Sequence, residues 1–220
     1  MYKKGALDRV KSNLYVRIPA HIVHDKGKYL EDPIIVAMNI TEPYFFSYYT
    51  ALSLHGLAQQ YTKNFYISTI KPIPKINYHG NVIQPVTLTP KRFFGFCEIK
   101  YGNKKVIVSD LERTVIDVVD RPEYAGGYEE IFRCILGVEK LNWQKIITYV
   151  DKMEEKILVN RLGYLFDLLR KQVNTPDSFL KNLQKRLSDN IYYFEKKHGK
   201  FNKKWRIIVD ERLEKVVEAG

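Results

Sequence analysis

The chain has 220 residues, 45% of them hydrophobic and 13% aromatic, which is enough to bury a core without staples and too much for a solvated coil. Its longest apolar stretches, Pro33 to Met38 and the interrupted Tyr44 to Leu57, cannot span a bilayer, and the lysine-bearing amino terminus lacks the apolar run of a secretory signal. Two cysteines, Cys97 and Cys134, make no disulfide framework, so a cytoplasmic protein is expected, and with apolar runs this short no membrane partner is.

Residues 2 to 18 predict a basic hairpin, with Val10, Leu14, Val16 and Ile18 flanking a Ser12-Asn13 turn. Pro19 to Asp32 is charged and rich in histidine, as a linker would be. A short helix is expected over Pro33 to Ile40 and another over Ser47 to Leu57, stopping near Gly56. From Phe65 to Val108, short β-rich runs alternate with Pro72, Pro74, His79-Gly80-Asn81, Pro90 and Gly102-Asn103, which is turn punctuation at hairpin spacing.

After Val108 the apolar period lengthens. Ser109-Asp110-Leu111-Glu112 matches a capping box, in which the Ser109 hydroxyl accepts from the Glu112 amide and the Glu112 carboxylate reaches back. Leu111, Val115, Val118 and Val119 form the helix face, which stops at Arg121-Pro122. Gly126-Gly127 precedes a helix closed by Gly137, and Asn142 caps the next. A helix over Glu154 to Gln172 follows, then one with Thr175 as N-cap and Pro176 as first residue. Tyr192 to Phe194 and Trp205 to Val209 read as strands. The whole is an α+β protein: a basic hairpin, a sheet-containing middle and a helical C-terminal half.

Charge is concentrated at the ends. Residues 1–30 carry seven basic and two acidic groups and residues 181–220 eleven and six, leaving the middle nearly neutral. Two basic ends point to polyanion-facing surfaces, or to a lysine-rich soluble surface. Lys196 to Arg206 interleaves rings with dense positive charge, fitting a phosphate-facing loop, a partner-facing loop or an exposed turn.

No phosphate-binding glycine loop, GxSxG elbow or HExxH is present, so neither nucleotide, serine-hydrolase nor zinc-protease chemistry of those types has support. His21-x-x-His24 has no paired second half for zinc and fits a solvated linker. The carboxylates Asp110, Glu112, Asp117 and Asp120 admit two readings. As an enzyme, some of them would hold a metal for phosphodiester hydrolysis, with Lys104 or Lys105 nearby. As scaffold, Glu112 closes the capping box, Asp110 sits at the favourable helix end, and Asp117 pairs at i,i+4 with Arg113 or Arg121. The scaffold reading is preferred, because each acid then has a role without chemistry.

The run Ser109-Asp110-Leu111-Glu112-Arg113-Thr114, with Asp117, Arg121-Pro122, Gly126-Gly127 and Glu129, resembles the AbiEi family of abortive-infection antitoxins and transcriptional regulators. Ser47 to Leu57 with its His-Gly-Leu end, Phe65 to Ile67, Arg161 to Leu165 and Lys203 to Arg206 extend the resemblance over most of the chain. It implies a non-catalytic protein without cofactors, pairing a winged helix-turn-helix that binds its own operator with a domain that counters a nucleotidyltransferase-like toxin in a type IV system. Gly5 to Arg17 resembles the wing of such a domain. Only four residues precede it, so the first helices are expected to be missing, leaving a wing remnant over 1–18, a linker over 19–32 and an antitoxin domain over 33–220. The cations expected at DNA are Lys3, Lys4, Arg9, Lys11, Arg17, Lys203, Lys204 and Arg206, with weak, salt-dependent, nearly sequence-blind binding. Alternatives are a metal-dependent nuclease using Asp110, Glu112 or Asp117, and a protein-interaction module.

Overall fold

The computed structural model describes residues 6–24, 29–194, 199–210 and 212–213. Lys3, Lys4, Lys196 and Lys197 lie outside them. The fold is α+β. Its opening hairpin joins β1 (Leu7–Lys11) to β2 (Leu14–Arg17), with Asn13 at φ 61° in the turn. A one-turn helix, α1 (Ala20–His24), follows where the sequence reads as linker. Asp32 caps α2 (Pro33–Ala37) by accepting from the Ile34 amide, and Pro33 supplies the preset first residue.

Next come β3 (Tyr44–Phe46), α3 (Tyr48–Leu54), β4 (Asn64–Thr69), β5 (Ile76–Tyr78), β6 (Asn81–Thr87), β7 (Phe96–Tyr101) and β8 (Lys104–Ser109). The six strands form one mixed sheet in the order β5-β6-β4-β3-β8-β7. β4 pairs parallel with β6, and β3 lies antiparallel to β4 and parallel to β8. The hairpins β5–β6 and β7–β8 turn at His79-Gly80 and Gly102-Asn103, where the punctuation placed them. The sequence reading has no strand at β3, whose Tyr44-Phe45-Phe46 reads only as core aromatics, or at the three-residue β5.

The helices are α4 (Leu111–Asp120), α5 (Tyr128–Leu136), α6 (Trp143–Met153), α7 (Lys156–Leu168) and α8 (Asp177–Gln184). They share one core with α3, including Leu52, Ile116, Phe132, Leu162 and Trp205. Three short strands, β9 (Tyr192–Tyr193), β10 (Lys200–Asn202) and β11 (Ile207–Val209), form a second sheet in the order β10-β11-β9. Trp205 therefore precedes its strand. It sits in a turn that Arg206 closes at φ 48°, and its fully buried ring packs into the helical core. Pro176 is the N-cap of α8, so the helix starts one residue later than expected and Thr175 does not cap it. Proline's fixed φ and absent amide suit either position at the start of a helix.

The hairpin read as a wing shares a core with the body. Val10 is buried with Ile34, Val36, Ile76 and Tyr78. The Asp8 carboxylate lies 2.7 Å from Nε2 of His79, and Lys11 Nζ donates to the Ile40 carbonyl at 2.8 Å. Residues after it are tied down as well, since the Glu31 amide donates to the Tyr78 hydroxyl and Tyr101 donates to Asp32 at 2.6 Å. No helix among the described residues is long and apolar enough to cross a membrane.

Candidate functional site

The motif from Ser109 to Asp117 lies where β8 passes into α4, between the sheet and the helical half. The cap is Asp110, not Ser109: Asp110 Oδ1 accepts from the Arg113 amide at 2.9 Å, and no capping box forms. Ser109 is fully buried, and its hydroxyl pairs with that of Thr114 at 2.7 Å, while Thr114 Oγ1 also donates to the Ser109 and Asp110 carbonyls. Both residue types cap helices, so spacing alone favours either. The Ser109 side chain turns into the core and leaves the role to its neighbour.

Glu112, released from the box, reaches across to α6. Its Oε1 accepts from the Asn142 amide and its Oε2 from Lys145 Nζ, both at 2.9 Å. Lys145 also stands 3.2 Å from Asp110 Oδ2, which accepts from the Tyr149 hydroxyl at 2.8 Å. One ammonium thus bridges two nearly buried carboxylates. Burial opposes the charged form of Glu112, but Lys145 and the Asn142 amide outweigh it and hold its pKa below the usual carboxylate range. Burial would lower Lys145, yet the two acids raise it above its ordinary value. Burial and the adjacent Asp110 carboxylate push the Tyr149 phenol up to about 12.

Two turns along α4, the third acid is sealed off. Asp117 Oδ1 accepts from Arg113 Nε at 2.7 Å, the i,i+4 pair, and the two side chains are 2% and 0% exposed. The Arg113 guanidinium also donates from Nη1 to the Arg92 and Phe94 carbonyls and lies over the Phe94 ring at 4.4 Å. Asp117 therefore belongs to a dry pair, apart from the wetter Asp110, Glu112 and Lys145 group. Lys105 pairs with Glu98 at 2.6 Å instead of joining the acids. Among the described residues, no group of three His, Cys, Asp or Glu side chains is arranged to hold a metal.

The other motif pieces support this junction. His55, the C-cap of α3, contacts the Ser109 carbonyl through Nε2 at 2.8 Å, and the Leu57 amide closes the helix end on the Leu52 carbonyl. Arg121 caps α4, with its side chain partly exposed beside Tyr124. Gly126 and Gly127 both have left-handed φ, 79° and 87°, a turn that side-chain-bearing residues resist. A side chain at Gly126 would also press on Glu130.

The basic residues divide by environment. Arg9 and Arg17 are exposed, and strand alternation puts them on the outward face of the hairpin with Tyr15, which stands opposite Arg9. Lys11 is held by the Ile40 carbonyl. At the other end Lys203 is exposed, whereas Lys204 pairs with Asp167 at 2.6 Å and Arg206 with Asp189 at 2.7 Å. The alternation of rings and cations there does not form one surface, since Trp205 is core.

Sequence reasoning missed Lys145, Tyr149 and Phe94, because nothing local links α6, or the segment before β7, to the start of α4. Replacing Lys145 by Gln is expected to cost about 1–2 kcal/mol at neutral pH, a figure discounted for partial exposure. The Glu112 pKa is depressed, so its contribution is complete above the ordinary carboxylate pKa and is lost as pH falls. The deficit, read by urea unfolding, shrinks between pH 7 and pH 3.

No protein-family model matches the chain, and no curated protein matches it. Among solved structures it is similar to the RV2827C protein from Mycobacterium tuberculosis, with a TM-score of 0.67 and 10% identity over 97% of this chain and 79% of that one. That likeness is one of fold.

Proposed function

We propose that the chain is a non-catalytic antitoxin and transcriptional regulator of the AbiEi type, serving a type IV toxin–antitoxin operon in the cytoplasm. The observation that carries the reading is the state of the motif acids. Asp110, Glu112 and Asp117 are held by an amide, an ammonium and a guanidinium, so the residues that resemble the family form a clamp between α4, α6 and the sheet. DNA contact is assigned to the outward face of the hairpin, where Arg9 and Arg17 flank Tyr15. Cations on a rigid hairpin meet phosphates without reading bases. The functional partner is a nucleotidyltransferase-like toxin, countered without a lasting complex.

Titration of duplex DNA at several salt concentrations tests the nucleic-acid half. Binding is expected at about micromolar Kd or weaker, nearly independent of sequence, and each of Arg9→Ala and Arg17→Ala should reduce the salt slope by about 1. A slope unchanged in both variants removes the hairpin from the interface. Co-expression with the toxin encoded beside it tests the antitoxin half, with rescue of growth expected. Cleavage of DNA dependent on magnesium or manganese, and lost in a folded Asp110→Asn variant, would replace this reading by the nuclease one.

A further inference from the structure

The two edges of the six-stranded sheet are treated differently. At β5 the N-terminal hairpin packs alongside, with Val10 in the shared core and Asp8 on His79. At the other edge β7 is hydrogen-bonded to β8 and, among the described residues, to no further strand. An open edge carries a row of unpaired amides and carbonyls and is a template for another strand.

The phase of that row is fixed by one bond. The Asp110 amide donates to the Gly95 carbonyl at 2.9 Å, so Gly95 and Asp110 form a hydrogen-bonded pair of the antiparallel ladder. Alternation then turns the polar backbone groups of Cys97, Ile99 and Tyr101 toward β8 and those of Phe96, Glu98 and Lys100 outward. A second β7 joining antiparallel must place outward residues opposite outward residues. That restricts the two-fold axis to a residue position, and charge chooses among the positions. An axis at Glu98 puts two carboxylates directly opposite, and one at Lys100 puts two ammoniums opposite. An axis at Cys97 shortens the ladder, and one at Tyr101 runs into the turn. An axis at Ile99 sets Glu98 against Lys100 of the partner subunit, twice, in a ladder that runs from Cys97 to Tyr101.

The side chains on that face agree. Lys100 stands opposite Lys105 in the β7–β8 register, and Lys105 takes Glu98 at 2.6 Å. Lys100 makes no ion pair among the described residues, so within one copy two lysines share one acid. The same face bears Phe96, 42% exposed, beside an open groove of about 600 Å³ lined by Tyr44, Phe93 and Ile107. This apolar surface continues from the edge and supplies burial that a polar ladder alone lacks.

We propose that β7 is a homodimerisation edge, on which two copies of this chain join antiparallel about a two-fold axis at Ile99 with Glu98 facing Lys100 of the partner subunit. The result is a continuous sheet of twice the width, with the two hairpins at its far ends.

Sedimentation equilibrium on the full chain tests this, with variants at the exposed Cys97, Glu98 and Lys100 and at the partly buried Ile99, the folding of each checked by circular dichroism. A dimer with a Kd of about 1–50 µM is expected for so short a ladder. Glu98→Lys and Lys100→Glu should each weaken it by about 10-fold or more, and the double exchange should restore it to within about 3-fold. In a Cys97→Ser background, Ile99→Cys lies on the axis at a closely spaced, non-hydrogen-bonded pair and should form an intermolecular disulfide under mild oxidation. A chain that stays monomeric to about 200 µM overturns the proposal. A dimer indifferent to the single exchanges, or one that the double exchange fails to restore, overturns it equally.

Discussion

Replacing Arg113 with methionine is expected to destabilise the fold by about 3–5 kcal/mol, measured as a fall in the urea midpoint at unchanged slope. Methionine fills much of the volume, so the loss is chiefly electrostatic. Asp117 is left buried without its cation, and the Arg92 and Phe94 carbonyls lose their donor. Even in the intact pair, Arg113 Nη2 and Asp117 Oδ2 lack hydrogen-bond partners, so the burial of charge is incompletely compensated. It follows that the double replacement Arg113→Met/Asp117→Leu should recover most of the loss. A double variant as unstable as the single one would mean that the pair holds the β8–α4 junction by geometry that apolar packing cannot reproduce.

The same pair sets a pH dependence. Burial pushes the Asp117 carboxyl up to about 6 from an ordinary 3.8, despite the guanidinium beside it. Between those values the folded chain retains a proton that the unfolded chain has released, so this group subtracts from stability as pH rises through the window. Asn at this position cannot titrate. Relative to wild type, the Asp117→Asn variant should therefore gain up to about 3 kcal/mol between pH 4 and pH 7. A difference that is flat across that range would show that the carboxyl ionises as easily inside as outside.

What the sequence made legible was local. The hairpin at Ser12-Asn13, the turns at Gly80 and Gly102, and the helix face of Val115, Val118 and Val119 are each set by neighbours a few residues apart, and each is present. The cap at Asn142 is there too, accepting from the Lys145 amide at 3.0 Å. Failures came where distant segments decide. Tyr44 to Phe46 is a central strand because β4 and β8 flank it, at separations no periodicity encodes. Glu112 leaves its expected place because Lys145 offers a better partner than the Ser109 amide. Lys204, Trp205 and Arg206 look like one basic aromatic surface until α7 supplies Asp167 to the first two, and Asp189 takes the third.

The second large effect is expected at Gly163, inside α7. Alanine there would normally help, because glycine in a helix interior costs about 1 kcal/mol relative to alanine. Here a methyl group would lie 2.1 Å from Cε3 and 2.2 Å from Cζ3 of Trp205, well inside contact distance. The ring cannot simply withdraw. Its backbone carbonyl accepts from Asn160 Nδ2 at 2.7 Å, its Nε1 donates to Asp167 at 2.8 Å, and it is fully buried. Gly163→Ala is therefore expected to destabilise by about 2–4 kcal/mol, the overpacking cost exceeding the propensity gain. Trp205→Phe alone loses the bond to Asp167 and some packing. Combined with Gly163→Ala it relieves the clash, and the two changes should cost at least about 1 kcal/mol less together than their separate costs would add to. Because Trp205 carries β11 onto the helical core, the single alanine variant should also lose amide protection in Ile207 to Val209 before it loses protection in α4. Uniform loss across both elements would mean that the three-stranded sheet unfolds only with the whole protein.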